Sequence, residues 1–426
     1  MPASRLGTVR SNARSPGSGF AGTFVGPMRR MLRLHNPVQR YAWGSRTAIP
    51  AILGSPPVPD SEPPVAELWM GAHPRAPSRV ACAPGDEIGL DRLFAEDPAL
   101  LGARVSAAFG CRLPFLFKVI AAARPLSIQC HPDPAAARAG FERENRLGIP
   151  LDAPERSYRD ASHKPELLVA LGRFEALVGF RPPREIRDRL AAAGARALDR
   201  AAAGLERPRG LADFLASLLR LDDGQRRALL EQVAAGLAGD HGREAGWVRR
   251  LMVDYPGDAA ALAPLFLNLV ELSADEGLYL GAGVLHAYLD GVGLEIMASS
   301  DNVLRGGLTD KHIDVDELCR IVRSEPLSPA VLTPQPVDAR LRVYATPAPE
   351  FQLGFVDLAG GAHERVRTAQ AGPEIAFSLA RDCRLSDPVS GDEVVLERGS
   401  AALVTAPVEA YRVEGEGGRV YFADVP

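Results

Sequence analysis

The chain has 426 residues, 46% of them hydrophobic and 24% charged, with a formal net charge of −4. That length allows two to four domains with ample core. The balance excludes a chain built for nucleic acid, and no apolar run reaches the roughly 18–20 residues of a membrane span. The five cysteines, Cys82, Cys111, Cys130, Cys319 and Cys383, are odd in number and widely spaced, with no CxxC pair. They read as core thiols of a reducing cytosol rather than a disulfide framework or a cysteine-built zinc site.

Residues 1–30 hold five Arg and no acidic residue. Two readings stand: a transit peptide, or a disordered extension upstream of a start at Met28 or Met31. No amphipathic apolar face is visible, which favours the extension. From Leu32 to about Phe180, short apolar runs broken by Gly and Pro predict strands of a sandwich or barrel. Leu113–Ala121 is apolar apart from Lys118. Leu126–Cys130, Leu167–Leu171 and Glu175–Phe180 follow.

From about Pro183 to Leu269 the helical period takes over. Leu211, Phe214, Leu215, Leu218 and Leu219 recur at helical spacing. Asp222 is expected to cap a helix carrying Leu229, Leu230 and Val233, and Asp258 another carrying Leu262, Leu265, Phe266 and Leu269. Strands are expected again at Gly277–Leu280 and Leu294–Met297. A Pro-rich linker, Pro326–Pro336, leads to Leu341–Tyr344, Phe351–Leu358, Glu374–Leu379, Glu393–Leu396, Ala401–Thr405 and Arg419–Ala423. The pattern predicts a mainly β protein with a helical insertion and a second, smaller barrel. The division expected is 31–182 with 270–328, 183–269, and 329–426.

Four polar clusters stand out. Gln129 and His131 share one face of a strand whose other face carries Ile128 and Cys130. Such a pair inside an apolar strand needs a partner, either a metal ion or a hydrogen bond at the strand end. His163-Lys164-Pro165-Glu166 leads into Leu167–Ala170, as an inward carboxylate or a solvated turn. His286-Ala287-Tyr288 follows Gly281-Ala282-Gly283, as a ligand or a packed core histidine. Glu295 to Lys311 contains Ser299-Ser300-Asp301-Asn302 and Arg305-Gly306-Gly307. Its glycines admit close approach of backbone to ligand. Arg305 suits a phosphate or an enediolate oxygen, or a surface pair with Asp301.

In combination these segments resemble the type I mannose-6-phosphate isomerases. The resemblance runs through Val38–Gly44, Ala66–Pro74, Leu113–Val119, Ser127–Pro132, His163–Glu166 and His286–Lys311 in order, across about residues 32–325. Beyond 330 it is weaker, resting on Pro349-Glu350-Phe351 and Gly372-Pro373-Glu374. It implies a cupin-type catalytic barrel, a helical insertion and a second jelly roll. It also implies one zinc ion per chain, held by Gln129, His131, Glu166 and His286, and an active-site arginine at Arg305. Ser162, Gly306 and Cys130 depart from the family's commoner residues without removing a ligand.

The implied reaction is interconversion of mannose 6-phosphate and fructose 6-phosphate through a cis-enediolate, supplying mannose 6-phosphate for glycans through GDP-mannose. Arg305 with Lys164 would stabilise the oxyanion, Glu295 would be the proton-transfer base with His163 and Lys164 as the alternatives, and His163 could also aid ring opening. Ser127, Lys118 and Arg305 would hold phosphate. Trp43, Glu67, His73, Tyr288, Asp301 and Lys311 would line the pocket. A cytoplasmic monomer acting on a sugar phosphate is expected, without nucleic acid or membrane partners. Against this stand a related isomerase for another sugar, a non-catalytic sugar-phosphate-binding cupin, and a cupin oxygenase or epimerase. The last would more often use a His-rich iron or manganese set.

Overall fold

The computed structural model describes residues 30–83, 85–367 and 370–426. Of the segment read as an N-terminal extension, all but Arg30 lies outside the described residues. Among the described residues the strands form a ten-stranded, a seven-stranded and a four-stranded sheet and a two-stranded ribbon. The expected class, mainly β with an α-helical insertion, is the one observed.

The ten-stranded sheet places the chemistry. Its central strands are Glu166–Phe180, His286–Ala298, Phe115–Ala122 and Glu67–Gly71, all antiparallel neighbours. Side chains alternate between faces along each strand. Leu68, Met70, Phe117, Val119, Leu167, Val169, Leu294 and Ile296 therefore enter one core. Glu67, Lys118, Glu166 and Glu295 take the intervening positions and look the other way. Two apolar runs expected around 167–180 prove to be one strand of 15 residues. Its pairing with His286–Ala298 shifts register between Tyr288/Asp290 and Gly291/Gly293, which lets it bend without ending.

The seven-stranded sheet packs face to face on this one. Leu353, Phe355, Ile375, Phe377, Leu403 and Tyr421 join the same core, and the Phe117 and Phe377 rings meet edge to face at 6.1 Å. Its far side packs Ala376, Val404 and Phe422 against Leu385, Leu396 and Val413 of the four-stranded sheet. Chain order does not follow these layers. Met31–Leu34 hydrogen-bonds Ala401–Val404 in the seven-stranded sheet, although the sequence groups residues from 31 onward with the first barrel.

The helices of the insertion pack on Leu177, Phe180, Ala287 and Leu289 of the two longest strands. Asp222 caps Asp223–Gly236 as expected, in a reciprocal capping box with Gln225. The Asp258 expectation needs correction. Asp258 caps a 3₁₀ turn, Ala259–Leu262, followed by Ala263–Phe266. Leu269 then sits in the strand Leu267–Leu272, which pairs with Phe174–Phe180. An open sheet edge beside an apolar segment offers a full ladder of hydrogen bonds, and that outweighs a local helical period. Helices at Leu90–Glu96, Ala103–Phe109 and Pro134–Arg146 interrupt the stretch read as all strand. The last carried a readable signal, with Asp133 as N-cap and Pro134 in the first turn. Cys111, Cys130, Cys319 and Cys383 are free thiols.

Phe377 lies in the seam between the two large sheets. Phe377→Ala is expected to destabilise the whole protein by about 3–5 kcal/mol. Denaturant unfolding followed by tryptophan fluorescence and by circular dichroism checks this. Midpoints unchanged from wild type would mean the seam carries no stability.

Candidate metal centre and active site

The buried floor of the site is built from three segments. Gln129–Cys130 pairs with both His286 and Leu304–Arg305, with Gln129 opposite each of His286 and Arg305. Glu166 opens the long strand opposite Met297. His131, Glu166 and His286 thus converge, with ligand-type atoms all within 4.8 Å of one another. His131 Nδ1 donates to the Asn302 carbonyl at 2.8 Å and His286 Nδ1 to the Val284 carbonyl at 2.9 Å. A carbonyl only accepts, so both protons sit on Nδ1 and both Nε2 atoms present lone pairs.

Those lone pairs face the two oxygens of Glu166, each at 3.3 Å. His131 Nε2 is buried and makes no hydrogen bond among the described residues. Acceptors opposed at that distance repel unless a cation lies between them, so the donor set fits a divalent metal ion of zinc type. Burial, set against the pull of Glu166, holds His131 down to about 4, which keeps it neutral. Burial would raise the Glu166 carboxyl, but the Lys164 ammonium, at 2.9 Å, opposes it, and the group stays well below the usual carboxylate range. Gln129 donates its Nε2 to Ser127 Oγ at 3.5 Å, leaving its amide oxygen free to join the set.

Above this floor lies a cavity of about 820 Å³. One wall is a charged row on adjacent strands. Lys118 stands opposite Glu295 in register, and its ammonium lies 2.9 Å from Glu295 and 3.5 Å from Glu67. Tyr288 donates to the other Glu295 oxygen at 2.8 Å, and Trp69 Nε1 donates to Glu67 at 2.9 Å. Burial would lower the Lys118 ammonium, but the two carboxylates reverse this and raise it. Burial and Glu295 also raise the Tyr288 phenol, so it stays a donor. Lys118 was expected to hold phosphate. It lines the cavity paired with two carboxylates, apart from the cations Arg159, Arg305 and Lys311.

The opposite wall is cationic. Arg305 and Lys311 line it as expected, joined by Arg159. Burial and then Arg159 depress the Arg305 guanidinium; burial and then Arg305 depress Lys311. These mutually repelling cations mark a place for an anion. The Arg305 backbone is fixed by Gly306 N–H to Ile128 O at 2.8 Å and Ile128 N–H to Gly307 O at 3.0 Å. Gly307 has φ 121°, and a Cβ there would stand 2.1 Å from that of Ala260. Asp258 accepts from Leu308 N–H at 2.6 Å, tying this loop to the helical layer.

Of the sequence-based candidates, Trp43, Glu67, Lys118, Ser127, Gln129, Lys164, Glu166, His286, Tyr288, Glu295, Asp301, Arg305 and Lys311 line the cavity. His131 lies immediately behind it. His73 is buried behind the wall, edge-on to Trp69 and 3.3 Å from Asp301. Burial raises Asp301, but His73 and Arg75 outweigh it and bring it to about 2. His163 does not join them. Its Nε2 meets Glu350 at 2.6 Å, outside the cavity lining, which corrects its assignment as a base. Arg159 was missed because it sits in an irregular loop with no periodic signal. Tyr41 and Tyr255, also missed, stand at the cavity from distant parts of the chain.

Comparison with known proteins agrees with this geometry. Residues 31–183 match the family model of the phosphomannose isomerase type I catalytic domain. The chain is 40% identical to mannose-6-phosphate isomerase of Escherichia coli K12, over 92% of this chain and 99% of that protein. It is 32% identical to the Homo sapiens mannose-6-phosphate isomerase, over 88% and 94%. The crystal structure of the Salmonella typhimurium enzyme bound to fructose 6-phosphate and zinc is similar at a TM-score of 0.84 and 35% identity, covering 93% of this chain and 99% of that one. Metal-compatible floor, cationic wall, fold and relatedness thus agree, and the chain belongs to the type I mannose-6-phosphate isomerase family of enzymes.

Proposed function

We propose that this enzyme interconverts D-mannose 6-phosphate and D-fructose 6-phosphate, with one zinc ion held by Gln129, His131, Glu166 and His286. The observation that carries the reading is the pair of imidazole acceptors aimed at one carboxylate, on the floor of a cavity with a cationic wall. The relatives' names support the substrate, and the zinc-bound relatives support the metal.

The reaction takes a proton from C2 of the aldose and delivers it to C1, while the hydroxyl proton passes from O2 to O1, through a cis-enediolate. Zinc, when bound, supplies Lewis-acid polarisation of the sugar oxygens. Glu295 takes the C2 proton and returns it to C1. Tyr288 and Lys118 hold one Glu295 oxygen each, which fixes the carboxylate plane and leaves lone pairs free. Arg305 and Lys164 stabilise the developing oxyanion by preorganised positive charge. Ser127, Lys311 and Arg159 take the phosphate. Trp43, Glu67 and Asp301 face the sugar. Residues 31–182 with 270–328 carry the site, 183–269 flank it and contribute Tyr255 to its lining, and 329–426 back it. No described helix is long and apolar enough to cross a membrane. We read the enzyme as a cytoplasmic monomer.

Turnover of mannose 6-phosphate by the purified protein, lost on chelation and restored by zinc, is the expected result; turnover of another sugar phosphate instead would move the chain to the related-isomerase reading. Arg305→Ala should lower kcat by about 10²–10³ while metal content stays at the wild-type level. Near-normal turnover would remove Arg305 from the chemistry. His286→Ala should lose most of its zinc by elemental analysis, and full occupancy in that variant would take His286 out of the ligand set.

A further inference from the structure

We propose that Glu350 is a positioning residue for the isomerase reaction: by holding the His163 imidazole it fixes the turn from which Lys164 and Glu166 enter the site. Glu350 belongs to the C-terminal part of the chain and does not line the cavity. Its Oε1 lies 2.6 Å from His163 Nε2. Glu350 is 9% exposed and precedes Phe351, which is fully buried in the core between the two large sheets. The second carboxylate oxygen, Oε2, is buried without a hydrogen-bond partner among the described residues. A carboxylate kept in the seam for stability alone would have both oxygens satisfied. This one has a single partner, and that partner leads to the active site.

The turn after His163 is short. Lys164 follows at once and reaches Glu166 Oε1 at 2.9 Å. Pro165 O accepts the Ala298 N–H at 3.1 Å, and Glu166 faces Met297 in the sheet. On the near side, Ser162 O accepts from Asn302 Nδ2 at 2.8 Å and from Ser300 Oγ at 3.1 Å. Asn302 O in turn fixes His131 at 2.8 Å. The segment is therefore held from two directions, by Asn302 within the catalytic layer and by Glu350 from the neighbouring one. Releasing the second hold frees the approach of Lys164, and displacements well under an ångström lower the rate of a preorganised site. The C-terminal layer thus contributes to the rate without touching substrate.

The proposal rests on the isomerase reading, which wild-type turnover tests by itself in the same assay. The experiment compares Glu350→Met, Glu350→Ala, His163→Ala and the Glu350→Ala/His163→Ala double variant, measuring kcat, KM for mannose 6-phosphate, zinc content and thermal midpoint. Expected is a fall in kcat of about tenfold or more in each single variant. KM should stay within about twofold, with zinc content at the wild-type level. The double variant should be no slower than the slower single, because both substitutions break one contact. Unchanged kcat in both Glu350 variants would overturn the proposal. So would losses that multiply in the double variant, or a loss that tracks missing zinc. If Glu350→Ala does not fold, Glu350→Met, which keeps the side-chain length but offers the imidazole no oxygen, decides by the same kcat, KM and zinc readings.

Discussion

The structure turns on one local conflict: two imidazole nitrogens with exposed lone pairs are pressed against the two oxygens of a single buried carboxylate. His131 and His286 cannot relieve it by changing tautomer, because backbone carbonyls of Asn302 and Val284 hold their Nδ1 protons. Glu166 cannot relieve it by taking up a proton, because the Lys164 ammonium at 2.9 Å favours its charged form. A divalent cation resolves all of this at once. The surrounding architecture is what makes the conflict tolerable, since each of the three side chains is anchored in a different strand or strand-end loop.

Those strands can hold charged groups because their other face is secured. Leu68, Met70, Phe117, Val119, Leu167, Val169, Leu294 and Ile296 are buried in the core shared with the seven-stranded sheet, and the hydrophobic stabilisation from that seam is large compared with the desolvation of a few paired charges. The polar face then carries its charges in compensated sets. Lys118 sits between Glu295 and Glu67, and Glu166 sits between Lys164 and two histidines. The wall with Arg159, Arg305 and Lys311 carries more positive charge than its carboxylate Asp310 offsets, which suits the proposed phosphate. Charge is balanced where proton transfer is to occur and left unbalanced where an anion is to bind.

The layers also explain why the C-terminal sheets accompany the catalytic one. They bury its back face, they receive the first described strand of the chain at Ala401–Val404, and through Glu350 they reach the turn that delivers Lys164. Stability and positioning come from the same contact surface, so a loosened seam is felt at the site even though no C-terminal side chain lines the cavity.

The sequence by itself determined the mainly β class, the helical insertion with its Asp222 cap, and the short polar motifs whose family resemblance implied a metal set, of which His131, Glu166 and His286 converge. These rest on periodicity, capping chemistry and short motifs, all of which act within a few residues. The tertiary structure decided what depends on residues far apart. Leu267–Leu272 became a strand because a neighbouring strand offered it a ladder. Lys118 became the partner of Glu295 because an antiparallel register set them opposite each other. His163 left the catalytic set because Glu350, 187 residues away, holds its imidazole. Arg159 entered the cavity from an irregular loop. Local pattern fixes which face a side chain takes, but its partner is chosen by packing between layers, and that information is not carried by any short stretch of chain.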